Sequence, residues 1–182
     1  MLGQYQITQQ ISSKAGRSTY LAEDFQTKQQ VILKFLEFNE LFAWEDLKLF
    51  EREAKTLKNL SYPFIPNYLD YFEVNETNRQ GFVLVQSYIN APSLGELIAA
   101  GIKFSESEII ELAQKLLDIL NYLHQLNPPV IHRDIKPSNI LLNNRSGNSI
   151  GDVYLVDFGS VQTSVKKKVE QSLSLVAMAI FL

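Results

Sequence analysis

Apolar and polar positions change rhythm about halfway along the chain. Near the start, Tyr5–Ile11, Ser18–Ala22 and Val31–Phe38 are short β-rich runs separated by polar turns, and they predict strands. Over 41–60 the apolar residues Leu47, Phe50, Ala54 and Leu57 recur at helical spacing among mixed charges, which predicts a helix. Tyr62-Pro63-Phe64-Ile65-Pro66 breaks it. Two further strands are expected over Tyr68–Val74 and Gly81–Ile89, with a polar turn between them.

After residue 90 the pattern turns mainly helical. Ala91-Pro92-Ser93 is a break, and Leu94–Ala100 reads as a short helix. Ser105-Glu106-Ser107-Glu108 resembles a capped helix start, and Ile109–Leu126 continues as a long amphipathic helix. Pro128-Pro129 ends it, and Val130–Ile131, Ile140–Asn143 and Val153–Val156 are short strand candidates. No internal repeat or long linker interrupts the chain. The shift near residue 90 predicts two lobes rather than two independent domains.

Composition narrows the chemistry. The chain has 182 residues, enough for one domain with a real core, and 46% of them are hydrophobic. A net charge of -3 gives no electrostatic case for nucleic acid or an anionic membrane. Cysteine is absent, which excludes a disulfide scaffold, a zinc ribbon and a thiol nucleophile. The N-terminus does not read as a signal peptide, and no apolar run approaches the roughly 18–20 residues of a membrane span. A cytoplasmic address is expected.

The chemistry-bearing residues cluster late. His132-Arg133-Asp134-Ile135-Lys136-Pro137-Ser138-Asn139 supplies a carboxylate, a cation and an amide oxygen in one turn. Phosphoryl transfer to a hydroxyl needs those three: a proton acceptor, a positive charge near the phosphate and a magnesium ligand. His-Arg-Asp alone would read as a polar surface loop, but the full spacing argues against that. Asp157-Phe158-Gly159 follows an apolar run eighteen residues after Asn139, where a carboxylate at a strand end can hold a hard cation. Lys34 ends the apolar run Val31-Ile32-Leu33, and Glu53 lies on the following helix. Singly, each would be an ordinary solvated charge; their order ahead of the later cluster gives both a functional reading.

Taken together, these segments resemble the protein-kinase signature, in the style of eukaryotic-like bacterial Ser/Thr kinases. The resemblance runs to about residue 165. It implies an α+β, kinase-like fold: an antiparallel, β-rich N-lobe with one main helix over residues 1–90, then the beginning of a mainly helical C-lobe over 91–165. It implies ATP and Mg2+ as cofactors and a protein substrate with a Ser or Thr hydroxyl, with Lys136 in the form typical of Ser/Thr kinases. By the same resemblance Asp134 is the catalytic base and Lys136 contacts the γ-phosphate. Asn139 and Asp157 hold magnesium, and Lys34 binds the α- and β-phosphates with Glu53 bracing it. Gln86 is the gatekeeper, Tyr88 belongs to the hinge that meets adenine, and Leu141 packs under the ring. Ile11 and Lys14 complete the ATP-binding set. His132 and Phe158 are read as packing residues.

Two features depart from the pattern. The glycine positions of the phosphate-covering loop fall on Ser12, Lys14 and Arg17, and only Gly16 supplies a glycine, off register. Amide cradling of phosphate is weakened; Lys14 and Arg17 either compensate by charge or are simply solvated. Only twenty-five residues follow Asp157, so the domain reads as truncated after Asp-Phe-Gly. The tail 166–182 reads as non-family and as frame-shifted: codons can be chosen so that another frame gives K-K-G-G-T-I-T-V-V-G-S-Y-G-Y-I, a string resembling a kinase activation segment. The expected function is a Ser/Thr kinase by descent, impaired as a truncated chain. The alternatives are a non-catalytic ATP-binding or regulatory fragment and a decayed gene product with an exposed apolar patch on the long helix.

Overall fold

The computed structural model describes residues 1–163, apart from 15, 41, 78 and 148. The tail expected to be frame-shifted lies outside the described residues. The chain divides into two units: Met1–Leu60 with Pro66–Tyr88, and Ser61–Ile65 with the residues from Ile89 onward.

The first unit is a five-stranded antiparallel sheet in the order β1-β2-β3-β5-β4, with one helix. Its strands are β1 (Tyr5–Lys14), β2 (Arg17–Asp24), β3 (Gln30–Glu37), β4 (Tyr68–Glu76) and β5 (Arg79–Ser87), and α1 (Trp44–Lys58) joins β3 to β4. Alternation along β3 and β5 sends Val31, Leu33, Phe35, Val83 and Val85 to one face, where they form the core with Leu2, Tyr5, Tyr20, Ala22 and Val74. The opposite face carries Lys34, Leu36, Leu84 and Gln86. There α1 buries Phe50, Ala54 and Leu57, and Phe50 and Leu57 each contribute roughly 1.5–3 kcal/mol. Acidic Glu45 and Asp46 open the helix and Lys55 and Lys58 close it, in accord with its dipole.

β1 runs three residues past its expected end at Ile11. Without glycines at 12 and 14, those residues keep extended geometry and continue the ladder as Ser12↔Thr19, Ser13↔Ser18 and Lys14↔Arg17. The hairpin closes through Gly16, at φ +77°, where glycine carries no steric penalty. The Gly16 carbonyl accepts from the Glu37 N–H at 2.9 Å, which fastens the turn to the end of β3.

In the second unit, α2 (Leu94–Ala99) and α3 (Glu106–Gln125) each begin with a capping box, Ser93 with Glu96 and Ser105 with Glu108. α3 buries Leu112, Leu116, Ile119, Leu120 and Leu123 along one stripe. Its outer side leaves Ile110 52% and Leu117 41% exposed, a modest apolar surface. β6 (Val130–Ile131) pairs with β9 (Gln162–Thr163), and β7 (Ile140–Asn143) pairs with β8 (Asp152–Leu155), all antiparallel. Gly151 precedes β8 at φ +73°, and a Cβ there would lie 2.1 Å from the Asn143 carbonyl oxygen. Segment 61–65 belongs to this unit: Tyr62 stacks on Tyr122 with centroids 4.6 Å apart, and the Phe64 carbonyl accepts from the Leu155 N–H at 3.0 Å. Among the described residues, no helix is long and apolar enough to cross a membrane.

Candidate active site

In the second unit the β7–β8 hairpin sets the geometry. Ile140 lies opposite Leu155, and one step further the Val156 N–H donates to the Asn139 carbonyl at 2.9 Å. Asn139 and Asp157 therefore leave the same end of one ladder, although eighteen residues separate them. A 3-10 turn over Pro137–Asn139 delivers Asn139, with its N–H bonded to the Lys136 carbonyl at 2.9 Å. Proline at the start of that turn costs no hydrogen bond, because its missing N–H would be unpaired there.

Asn139 is 6% exposed, and its Nδ2 donates to the Asp134 carbonyl at 2.8 Å and to Asp134 Oδ2 at 3.1 Å. Lys136 Nζ reaches the same Oδ2 at 2.7 Å. Both donors converge on one carboxylate oxygen, Oδ2. The Asn139 amide nitrogen is spent on Asp134, which leaves its Oδ1 as the atom able to serve a cation. Leu141 is half-buried on β7, opposite Tyr154.

His132 fastens this loop to the strand that carries Asp157. It is 1% exposed, and its Nδ1 accepts from the Asp134 N–H at 3.3 Å. A nitrogen that accepts carries no proton, so Nε2 bears it and donates to the Val156 carbonyl at 3.1 Å. Phe158, also buried, meets the imidazole edge-on with centroids 4.8 Å apart. Arg133 and Asp157 both sit in the left-handed region, at φ 69° and 67°. Non-glycine residues held there carry backbone strain, which concentrates at functional sites. Arg133 Nη1 donates to Gln162 Oε1 at 3.2 Å and joins the loop to β9.

In the first unit, Lys34 and Glu53 form an ion pair and hydrogen bond, with side chains 14% and 3% exposed. Lys34 lies within β3 on the α1 face, and the helical stripe of Phe50, Ala54 and Leu57 turns Glu53 towards it. Gln86 is buried two rows along the same face, opposite Ile32, and Tyr88 follows β5. Ile11 falls in a bulge of β1 and is 51% exposed; Lys14 is exposed beside the hairpin turn. Arg17 is not merely solvated: its Nη2 reaches Asp46 Oδ1 at 2.8 Å. So Lys34, Glu53 and Gln86 gather in one unit, and Asp134, Lys136, Asn139 and Asp157 in the other. Sequence reasoning did not find the Arg17–Asp46 pair or the Arg133–Gln162 link. A signal for the first existed: Asp46 stands seven residues before Glu53, hence on the same helix face.

The donor set suits magnesium. Among the described residues no three His, Cys, Asp or Glu side chains cluster as a metal cage. Magnesium is typically held by one or two protein oxygens together with substrate phosphates and waters. Asn139 and Asp157 offer that kind of oxygen-only pair.

Each of the two units thus carries its own polar cluster, and comparison with known proteins places the α+β chain. Residues 5–177 match the protein kinase domain family. The chain belongs to that family, of the eukaryotic-like serine/threonine type. It is 29% identical over 157 residues to serine/threonine-protein kinase PrkC of Bacillus subtilis, covering 86% of this chain and 22% of that one. It is 35% identical over 119 residues to serine/threonine-protein kinase B of Synechocystis sp., covering 65% of this chain and 19% of the relative. With serine/threonine-protein kinase D of the same organism it shares 34% over 173 residues, which is 91% of this chain and 32% of the relative. The chain thus spans about a third or less of the length of these relatives. Members of the family generally use ATP and Mg2+.

Proposed function

We propose that the chain transfers the γ-phosphoryl group of ATP to a Ser or Thr hydroxyl of a protein substrate. The observation that carries this reading is the convergence of Lys136 and Asn139 on one oxygen of Asp134, with Asp157 leaving the same end of the β7–β8 ladder. The substrate hydroxyl donates to Asp134 Oδ1, which orients it and takes its proton as the oxygen bonds to the γ-phosphorus. The bond from that phosphorus to the β–γ bridging oxygen breaks, and ADP leaves. Lys136 offsets charge on the transferring group, and Lys34, braced by Glu53, binds the α- and β-phosphates. Ile11, Lys14, Gln86 and Tyr88 of the first unit and Leu141 of the second are assigned to the nucleotide in this reading. Magnesium, held by Asn139 and Asp157, would neutralise phosphate charge when bound. The cell interior, where ATP is supplied, is the matching location, and the net charge of -3 offers nucleic acid no attraction.

The test is magnesium-dependent ATP binding and transfer of label from ATP to a protein acceptor rich in serine and threonine. The parent chain is expected to do both. Asp134→Asn should keep binding and lose transfer by about 10²–10⁴-fold, the range for a general base. Asp157→Ala should lose the magnesium dependence of binding. Binding by the parent without transfer would favour a non-catalytic, regulatory role instead.

A further inference from the structure

Two ion pairs cross from one face of the sheet to one face of α1. Lys34 and Glu53 form the first. Arg17 and Asp46 form the second, at 2.8 Å, with side chains 35% and 34% exposed. The β2–β3 register sets Thr19 opposite Lys34 and Arg17 opposite Leu36, so Arg17 and Lys34 rise from the same sheet face. Asp46 and Glu53, seven residues apart, lie along one side of the helix, about 10.5 Å apart along its axis.

The second pair acts at the first turn of the helix. α1 begins after Ala43, whose side chain makes no capping bond. A cation beside a helix N-terminus opposes the dipole unless an acid intervenes, as Asp46 does. Arg17 Nη2 also donates to the Asp46 backbone carbonyl at 3.3 Å, so it grips the first turn itself. Arg17 stands at the last glycine position of the resembled phosphate loop and follows the turn that Gly16 fastens to β3. Resting on the function proposed above, we infer that Arg17 and Asp46 form a second sheet-to-helix clamp that holds α1 where Glu53 braces Lys34, making Arg17 a positioning residue for phosphoryl transfer.

The full chain tests this through acetylation of Lys34 Nζ by acetic anhydride, quantified by peptide mass spectrometry against Lys115. Lys115 serves as reference because it bonds to Glu111 and the Gly151 carbonyl in the other unit. Arg17→Ala should raise Lys34 labelling about two- to fivefold relative to Lys115, the range for a half-exposed pair. Asp46→Ala should raise it less, since Arg17 keeps the backbone carbonyl. The double exchange Arg17→Asp with Asp46→Arg should return labelling towards the parent value, which a general loosening would not do. The inference is overturned if Lys34 labelling is unchanged in Arg17→Ala, if Lys34 and Lys115 rise together, or if the exchanged pair labels like the single variants. Where the parent transfers phosphate, kcat/KM for ATP should fall by the same factor in Arg17→Ala. A parent without transfer would sink the transfer proposed above, while the labelling pattern would still decide the clamp.

Discussion

The side-chain amide of Asn139 donates to the carboxylate of Asp134 over 3.1 Å, and it does so from a position 6% exposed. A residue assigned to metal binding therefore also orients the residue assigned to proton transfer. Asn139→Ala would remove both contributions and leave the Asp134 carbonyl without its 2.8 Å donor. Transfer is expected to fall by more than in Asp157→Ala at saturating magnesium. If the two variants respond to magnesium identically, Asn139 acts only as a ligand.

Glu53 is nearly fully buried against Lys34. Removing one partner of a buried pair strands the other charge, at a typical cost of about 3–5 kcal/mol. Glu53→Ala is expected near the lower end, because Lys34 retains some access to water. Urea unfolding of the parent and the variant measures it, and a loss under about 1 kcal/mol would mean that solvent already screens the pair.

The Tyr71 hydroxyl is buried without a hydrogen-bond partner among the described residues. Burial, with Glu51 nearby, pushes its pKa up to about 12. The ring itself is well placed, stacked on Phe82 at 5.5 Å. Tyr71→Phe keeps the stacking and removes the unpaired group, so stability should rise by about 1 kcal/mol. A loss of stability on thermal or urea unfolding would reveal a partner for the hydroxyl, such as an ordered water.

Glu108 joins the capping of α3 to the β7–β8 connection. The Ser105 backbone N–H first, and then the Arg145 side chain, hold its carboxyl below the ordinary glutamate range. A lowered folded pKa contributes stability above the unfolded value, and that contribution is lost as pH falls through the folded value. Tm should therefore decline from about pH 5 downward, and Glu108→Gln should flatten the decline. An unchanged slope in the variant would assign the acid sensitivity to other carboxylates, such as Glu96 and Glu111, which are also held low.

Much of this was legible because local chemistry announces it. Ser105 three residues before Glu108 marks a helix start, and α3 begins at the next residue, Glu106. Pro128-Pro129 marks its end, and the short strand candidates over 130–131 and 140–143 form strands. The spacing from His132 to Asp157 carried the family. What stayed hidden depends on distant partners. β9 is two residues long and exists only because Val130 and Ile131 lie beside it. The continuation of β1 to Lys14 needs its pairing with Arg17–Thr19 of β2 as well as the missing glycines. The Arg17–Asp46 bond joins residues twenty-nine apart, and only the helix face that Asp46 shares with Glu53 hinted at it.

The brief excursion at 61–65 sets how the chain can be divided. Those five residues leave the sheet unit, join the helical one and return for β4 and β5. No single cut yields two whole units. A fragment ending at residue 88 would carry Tyr62, Phe64 and Ile65 without their partners. A fragment beginning at 89 would lack the acceptor for the Leu155 N–H and the surface on which Tyr122 stacks. The two units are thus indivisible in chain order, and a protease nick near residue 88 should release neither of them in native form.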